Sequence, residues 1–390
     1  MHRRLNATLA LGLAALLGAG AAGCGNTSSA APDGGTKGDI KLPVISMLTG
    51  DVSYYGQLFM HGAELAVDQL NAEGGVDGRQ IKLIKEDNAS GNSQTVTLLR
   101  KYCADRDVGI LIAPTYQVNS DAGGPVSNAC GLPTVTGVGD IDKGTNPKGF
   151  MYKDTTVRQP DQIADTLKWA MAKTRARRVA QMADESVGPY VLYRDVGTTY
   201  LKDNGTPQVA SQTVKGSVGD YGPQITALAA ARPDLIVVTL QPPDAARFIE
   251  QARGRGLKAT FVATCGCLNN PTLFTASHGA AAGLLSSAAN PPVPQADLAP
   301  AFARFATAYK AKFGKITDTE AVYTFDAVKL TAAAIAKAGT STDRGKLKQA
   351  LDGMSRFCGA LCYTNVGGGV YKTTRLYYTH LTEKGFVVER

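Results

Sequence analysis

IKLPVISMLTGDVSYYGQLFMHGAELAVDQLNAEGGVDGRQIKLIKEDNAS, residues 40–90, is the stretch that decides the fold. Ile40, Leu42, Val44, Ile45, Met47 and Leu48 form a short apolar run, the pattern of a buried strand. The loop 49–56 follows, built of small residues with two adjacent aromatics, Tyr54 and Tyr55. Phe59, Ala63, Ala66, Val67 and Leu70 then recur at helical spacing and draw one apolar stripe. Gly74 and Gly75 end that helix, because its C-terminal turn needs residues that tolerate positive φ. Ile81, Leu83 and Ile84 open a second strand, which Asp87 closes. The unit is strand, helix, strand, with a loop at the carboxyl end of its first strand. Ligands bind there in open α/β sheets.

Outward from this unit the alternation continues. Helices are predicted over 93–104 and 120–129, strands over 108–113 and 132–136, as in a parallel sheet covered by helices. Near Thr155 to Pro160 the chain crosses to a second lobe, and the alternation restarts. From Gly283 it returns to the first lobe, with helices over 300–313 and 319–338 and a short helix capped by Thr342 and Asp343. The segment 367–388 reads as strands completing the second lobe. These readings give lobe 1 as 39–156 and 283–356, and lobe 2 as 157–282 and 357–390.

The 390 residues, 44% of them hydrophobic, suffice for two domains with proper cores. The net charge of +8 is modest, and no basic stripe interleaved with aromatics suggests nucleic-acid binding. Arg3 and Arg4, the apolar run from Leu9 to Ala22, and Ala21-Ala22-Gly23-Cys24 resemble a bacterial lipoprotein signal, cleaved before Cys24 with lipid on its thiol. The run is short of the roughly 20 residues that span a bilayer. Residues 25–37 form a Gly/Ser/Ala/Pro-rich tether. The expected location is thus outside the cytoplasm, held to the cell membrane by acyl chains.

Of the seven cysteines, six remain after Cys24, an even number suited to disulfides in an oxidising compartment. Cys103 and Cys130 end helices that flank one strand and are placed to pair; Cys358 and Cys362 share a Gly-containing loop. Cys265 and Cys267 would close a very small ring. The four histidines show no ligand spacing, so no metal is expected. Catalysis finds no footing either. Gly-x-Ser-x-Gly is absent, and Gly367-Gly368-Gly369 precedes a strand instead of opening a helix, so it is no phosphate loop. No cofactor is expected.

The spaced series Gly56, Gly62-Ala63, Ala66-Val67, Leu70-Asn71-Ala72-Glu73-Gly74-Gly75-Val76, Gly78-Arg79 and Glu86-Asp87 resembles the first unit of the type I periplasmic solute-binding proteins of ABC importers. The leucine/isoleucine/valine-binding proteins are the nearest in pattern. The helix with Tyr323 and Asp326-Ala327-Val328 resembles a helix of the same family. The resemblance implies two doubly wound α/β lobes joined by a three-segment hinge, closing as a monomer over a small solute. It also implies a partner permease in the membrane and, indirectly, its ATPase.

The site residues it implies lie at strand ends. Tyr54 and Tyr55 wall an apolar group, or one packs beneath the following helix. Tyr116, Gln117 and Asn119 fall where the family holds a ligand carboxylate with a hydroxyl and helix N-terminal amides, although Asn119 or Ser120 is equally suited to capping. Val138, Gly139 and Asp140 match a third loop, with Asp140 in place of a hydroxyl. In lobe 2, Val187 stands where the family has a ligand-facing Tyr, with Tyr190 nearby, and Gln241 ends the next strand. Cys265 occupies the position of the acidic residue that receives an α-ammonium in amino-acid binders. A thiol cannot neutralise that charge, and Asp140 is the available substitute. The expected solute is a small polar or amphipathic molecule: an amino acid, an amide or a related carboxylate. The alternatives are a ligand-sensing lipoprotein of the same fold signalling to a membrane receptor and, more remotely, an enzyme.

Overall fold

The computed structural model describes residues 38–113, 117–137, 141, 146–155, 159–264, 268–270, 272–292, 299–315, 319–373 and 375–389. The opening stretch forms β1 (Ile40–Ser46), α1 (Ser53–Ala72) and β2 (Ile81–Asp87), with β1 and β2 parallel and Ile40 opposite Ile81. Gly75, at φ +79°, donates its N–H to the Leu70 carbonyl at 2.8 Å and closes the helix end as its position requires. The same sheet takes in β3 (Leu111–Ile112), β4 (Thr134–Thr136) and β5 (Met151–Thr155), with α2 (Asn92–Ala104) and α3 (Gln117–Cys130) between them.

A second series then builds a separate sheet: α4 (Gln159–Thr174), β6 (Val179–Asp184), α5 (Gly188–Asp203), β7 (Gln208–Val214), α6 (Gly222–Ala230), β8 (Leu235–Thr239), α7 (Pro242–Gly254), β9 (Thr260–Ala263), α8 (Thr272–Ala276) and β10 (Leu285–Ala288). Next come α9 (Pro300–Phe313), α10 (Thr319–Ala338) and α11 (Arg344–Asp352). Strands β11 (Arg356–Cys358), β12 (Cys362–Asn365), β13 (Val370–Lys372), β14 (Tyr377–Thr382) and β15 (Gly385–Val388) end the described chain. The sheet orders are β11-β12-β13-β5-β4-β3-β1-β2 and β15-β14-β10-β9-β8-β6-β7. Described strands pass from one sheet to the other at three places: between β5 and β6, between β10 and β11, and between β13 and β14.

This topology corrects the expected lobe boundaries. Residues 285–288 do not return to the first lobe, since β10 pairs parallel with β9 and antiparallel with β14 in the second sheet. Residues 357–372 do not belong to the second lobe, since β13 pairs parallel with β5 and carries the β11–β12 hairpin into the first sheet. A strand's residue pattern sets its faces but not its neighbour, so the pattern alone misplaced both segments.

The first sheet's core packs α1, α9 and α10 through Ala63, Ala66, Phe302, Phe305, Val322 and Leu330. Gly62 permits the close crossing of α1 and α10: a Cβ there would stand 2.0 Å from the Ala321 carbonyl oxygen. In the second sheet Ile236, Val238, Phe248 and Phe261 form the centre. Asp343 caps α11 by accepting from the Lys346 N–H at 3.0 Å. Disulfides join Cys103 to Cys130 and Cys358 to Cys362, both as expected. Cys24, Cys265 and Cys267 lie outside the described residues, as do the leader and tether. Among the described residues no helix is long and apolar enough to cross a membrane.

Candidate functional site

The loops leaving the carboxyl ends of β1, β6, β8 and β9 meet, and they bring the two lobes into contact. Each lobe first fixes its own loop. After β1, the Asp87 carboxylate accepts from the N–H groups of Leu48 (2.9 Å), Thr49 (3.2 Å) and Ala89 (2.8 Å) and from the Thr49 hydroxyl (2.7 Å). Burial works to raise its pKa, but the bonds from Thr49, Ala89 and Leu48 outweigh it and hold the carboxyl below its ordinary value. Ser90 adds a hydroxyl bond to the Thr49 carbonyl at 2.8 Å. After β6, Asp184 accepts from the Ser186 N–H (2.8 Å), its hydroxyl (2.7 Å) and the Gly216 N–H (2.9 Å). A carboxylate at a strand's end therefore sets the loop shape in each lobe.

Among the described residues three hydrogen bonds cross between the lobes at these loops and the helix starts that follow them. Tyr55 and Tyr190 join hydroxyl to hydroxyl at 2.9 Å. Gln241, which precedes α7, donates its side-chain amide to the Asp51 carbonyl at 2.8 Å. Asn270, after β9, donates to the Tyr54 hydroxyl. An apolar cluster runs beneath them from Met47, Val52, Tyr55 and Phe59 of lobe 1 to Val187, Tyr190 and Tyr193 of lobe 2. Tyr54 and Tyr55 meet edge to face with ring centroids 5.2 Å apart. Helix α3 also touches α5 across the lobes.

The structure thus brings together four of the sequence-derived site residues, Tyr54, Tyr55, Tyr190 and Gln241. Tyr55 and Tyr190 are buried and Tyr54 is half-buried, so the first two contribute packing and a hydroxyl pair at the lobe contact. Gln117 and Asn119 lie in the first turn of α3, which begins three residues earlier than the predicted Ser120; their side chains fall outside the described residues. Tyr116, Val138, Gly139, Asp140 and Cys265 also lie outside them. Val187 is buried in the bridging cluster and precedes α5.

Sequence reasoning missed Asn270 and the Asp51 carbonyl. The Asn269-Asn270-Pro271 run after β9 was the available signal, since Asn and Pro mark a strand-end turn. The N-cap positions Val52, Val187 and Gln241 make no side-chain cap bond; their carbonyls accept the N–H groups of Tyr55, Tyr190 and Ala245 instead, and Pro189, Pro242 and Pro243 carry no N–H. Among the described residues no cluster of His, Cys, Asp or Glu is arranged to hold a metal ion.

A model of the periplasmic binding protein family matches residues 39–376. The Leu/Ile/Val-binding protein of Escherichia coli strain K12 is 26% identical over 250 residues, 63% of this chain and 66% of that protein. The chain therefore spans just under two thirds of that relative's length. Leu/Ile/Val-binding protein homolog 7 of Brucella melitensis is 25% identical over 329 residues, 79% of this chain and 76% of the relative. Among solved structures, a branched-chain amino acid transporter substrate-binding protein of Streptococcus pneumoniae, in complex with isoleucine, superimposes with a TM-score of 0.77. The two are 20% identical, with 89% of this chain and 97% of that one covered. An ABC-transporter solute-binding protein of R. palustris, in complex with benzoate, gives 0.76 at 17% identity, covering 90% and 95%.

Proposed function

The chain belongs to the periplasmic binding protein family, and on that premise we propose that it captures a small polar or amphipathic solute between its lobes and hands it to the permease of an ABC importer. The observation that carries this reading is the set of cross-lobe bonds from Tyr190, Gln241 and Asn270 to the loop and first turn between β1 and α1. A solute seated at these loops stabilises the closed arrangement by its greater affinity for that form. The solute carries a carboxylate: Tyr116, Gln117 and Asn119, at the start of α3, match the segment with which the family holds one. Isoleucine in one structural neighbour and benzoate in another share that group and differ in the ammonium. The side chain at Cys265, in place of the family's acidic residue, favours an acid or amide over an amino acid. Lipid on Cys24 anchors the monomer outside the cytoplasm, and the chain performs no chemistry on its cargo.

Mass spectrometry of small molecules co-purifying with the protein identifies the solute. A titration of the melting temperature against that compound tests it, since stabilisation grows with the ratio of concentration to Kd. A dose-dependent rise with the compound recovered unchanged supports the reading. Recovery of an altered compound, or no rise at any concentration, overturns it.

A further inference from the structure

The end of lobe 2 remote from the lobe contact is strongly basic. Strands β9, β8 and β6 lie side by side, and the segments entering their amino ends carry Lys258 and Arg255, Arg232, and Arg175, Arg177 and Arg178. All six are exposed. The acids nearby do little to offset them. Asp234 turns a carboxylate oxygen onto the N–H groups of Arg177 (2.9 Å) and Arg178 (3.0 Å), and Asp220 meets Arg255 at 3.5 Å. On the adjoining segment before β7, Lys202 and Asp203 cancel in charge. Among the described residues Arg175, Arg177, Arg232 and Lys258 take part in no ion pair. Arg178 donates its guanidinium to the carbonyls of Arg232 (3.0 Å) and Ala231 (2.8 Å). Arg232, Arg255 and Lys258 line, together with Asp234, Pro233 and Leu257, a groove of about 530 Å³.

We propose that this pole of lobe 2 is a docking surface for a membrane rich in anionic phospholipid headgroups. Neighbouring strands lie about 4.8 Å apart, so cations from three adjacent loops spread over a broad front instead of converging on one point. A layer of phosphates matches that spread, and each arginine fork can take a phosphate through two N–H groups. No aromatic side chain on these segments offers a stacking platform for bases. Because the basic ends sit at the amino ends of the strands, headgroups held there leave the loops at the carboxyl ends unobstructed. This surface is independent of the solute reading and of any lipid on Cys24.

The test is co-sedimentation of the full chain carrying Cys24→Ala with vesicles of phosphatidylcholine alone or mixed with phosphatidylglycerol. It is repeated with the added triple change Arg177→Gln, Arg232→Gln and Lys258→Gln. These three side chains make no hydrogen bond among the described residues, so their loss leaves the fold's bonds in place. The leader is common to both proteins, and the ratio of anionic to neutral partitioning isolates the basic pole. That ratio should fall about a hundredfold in the triple variant. It should also fall for the parent protein as salt is raised, a readout that needs no variant. An equal ratio for both proteins, or one indifferent to salt, overturns the proposal. So does abolition of vesicle binding by millimolar inorganic phosphate at constant ionic strength, which would make the pole a site for a free anion.

Discussion

Asp326 of α10 is fully buried, and its carboxyl receives the N–H of Ala360 at 2.6 Å, the N–H of Leu361 at 2.9 Å and the Tyr363 hydroxyl at 2.8 Å. The donors come from the tip of the β11–β12 hairpin, which the Cys358–Cys362 disulfide closes. Gly359 lets that tip approach, since a Cβ there would stand 2.0 Å from the Asp326 oxygen. Burial pushes the carboxyl up from an ordinary 3.8 to about 7, although the three bonds pull the other way. The folded protein therefore holds this proton more tightly than the unfolded chain. Its contribution to stability is complete below about pH 4 and is lost as pH rises to about 7, for a total of about 4 kcal/mol. Asp326→Asn removes the titration. The amide also cannot accept every bond the carboxyl accepts, which costs about 1–3 kcal/mol. Urea unfolding of both proteins across this range should show the parent's advantage shrinking by about 1 kcal/mol per pH unit on the way to neutrality. A difference independent of pH would refute the reasoning.

Three further outcomes follow from the same geometry. Tyr190→Phe removes the hydroxyl pair with Tyr55 and should weaken binding of the co-purifying solute about fivefold by calorimetric titration, from about 1 kcal/mol lost in the closed form. Unchanged affinity would place the pair outside the closing motion. Gly62→Ala drives a methyl against the Ala321 carbonyl and should lower unfolding stability by about 1–3 kcal/mol, read from the denaturant midpoint. Loss of the Cys103–Cys130 bond, which spans 27 residues, should cost about 3.5 kcal/mol, against about 2 for the four-residue Cys358–Cys362 loop. Single Cys→Ser variants compared by thermal melting check that order.

The first unit was legible because each of its signals is local. An apolar run, a helical stripe and the Gly74-Gly75 stop lie within one stretch and require no knowledge of partners. The α9 and α10 boundaries were read for the same reason, and so was the Asp343 cap. Strand β10 was not. Its sequence, LSSA, buries Ser286 and Ser287 completely, so neither hydrophobicity nor alternation announces which sheet it joins. Hairpin β11–β12 likewise takes its place from β13, whose partner β5 lies more than two hundred residues earlier.

Asp326 shows the same limit at the level of one side chain. In the sequence it is a member of a Tyr-Asp-Ala-like helix and nothing more; its partners, Ala360, Leu361 and Tyr363, become visible only once the hairpin is placed against α10. The candidate site falls between these cases. The aromatic pair Tyr54 and Tyr55 and the strand-end Gln241 stood out locally, and the structure brings them together with Tyr190. Of the carboxylates that shape the loops, Asp87 and Asp184, the first read in the sequence only as a strand end. Loop-shaping acids of this kind act on backbone N–H groups, which every residue carries. Their work therefore leaves almost no trace in side-chain identity beyond the acid itself, and a sequence reading finds the residues that meet at the lobe contact before those that hold them in place.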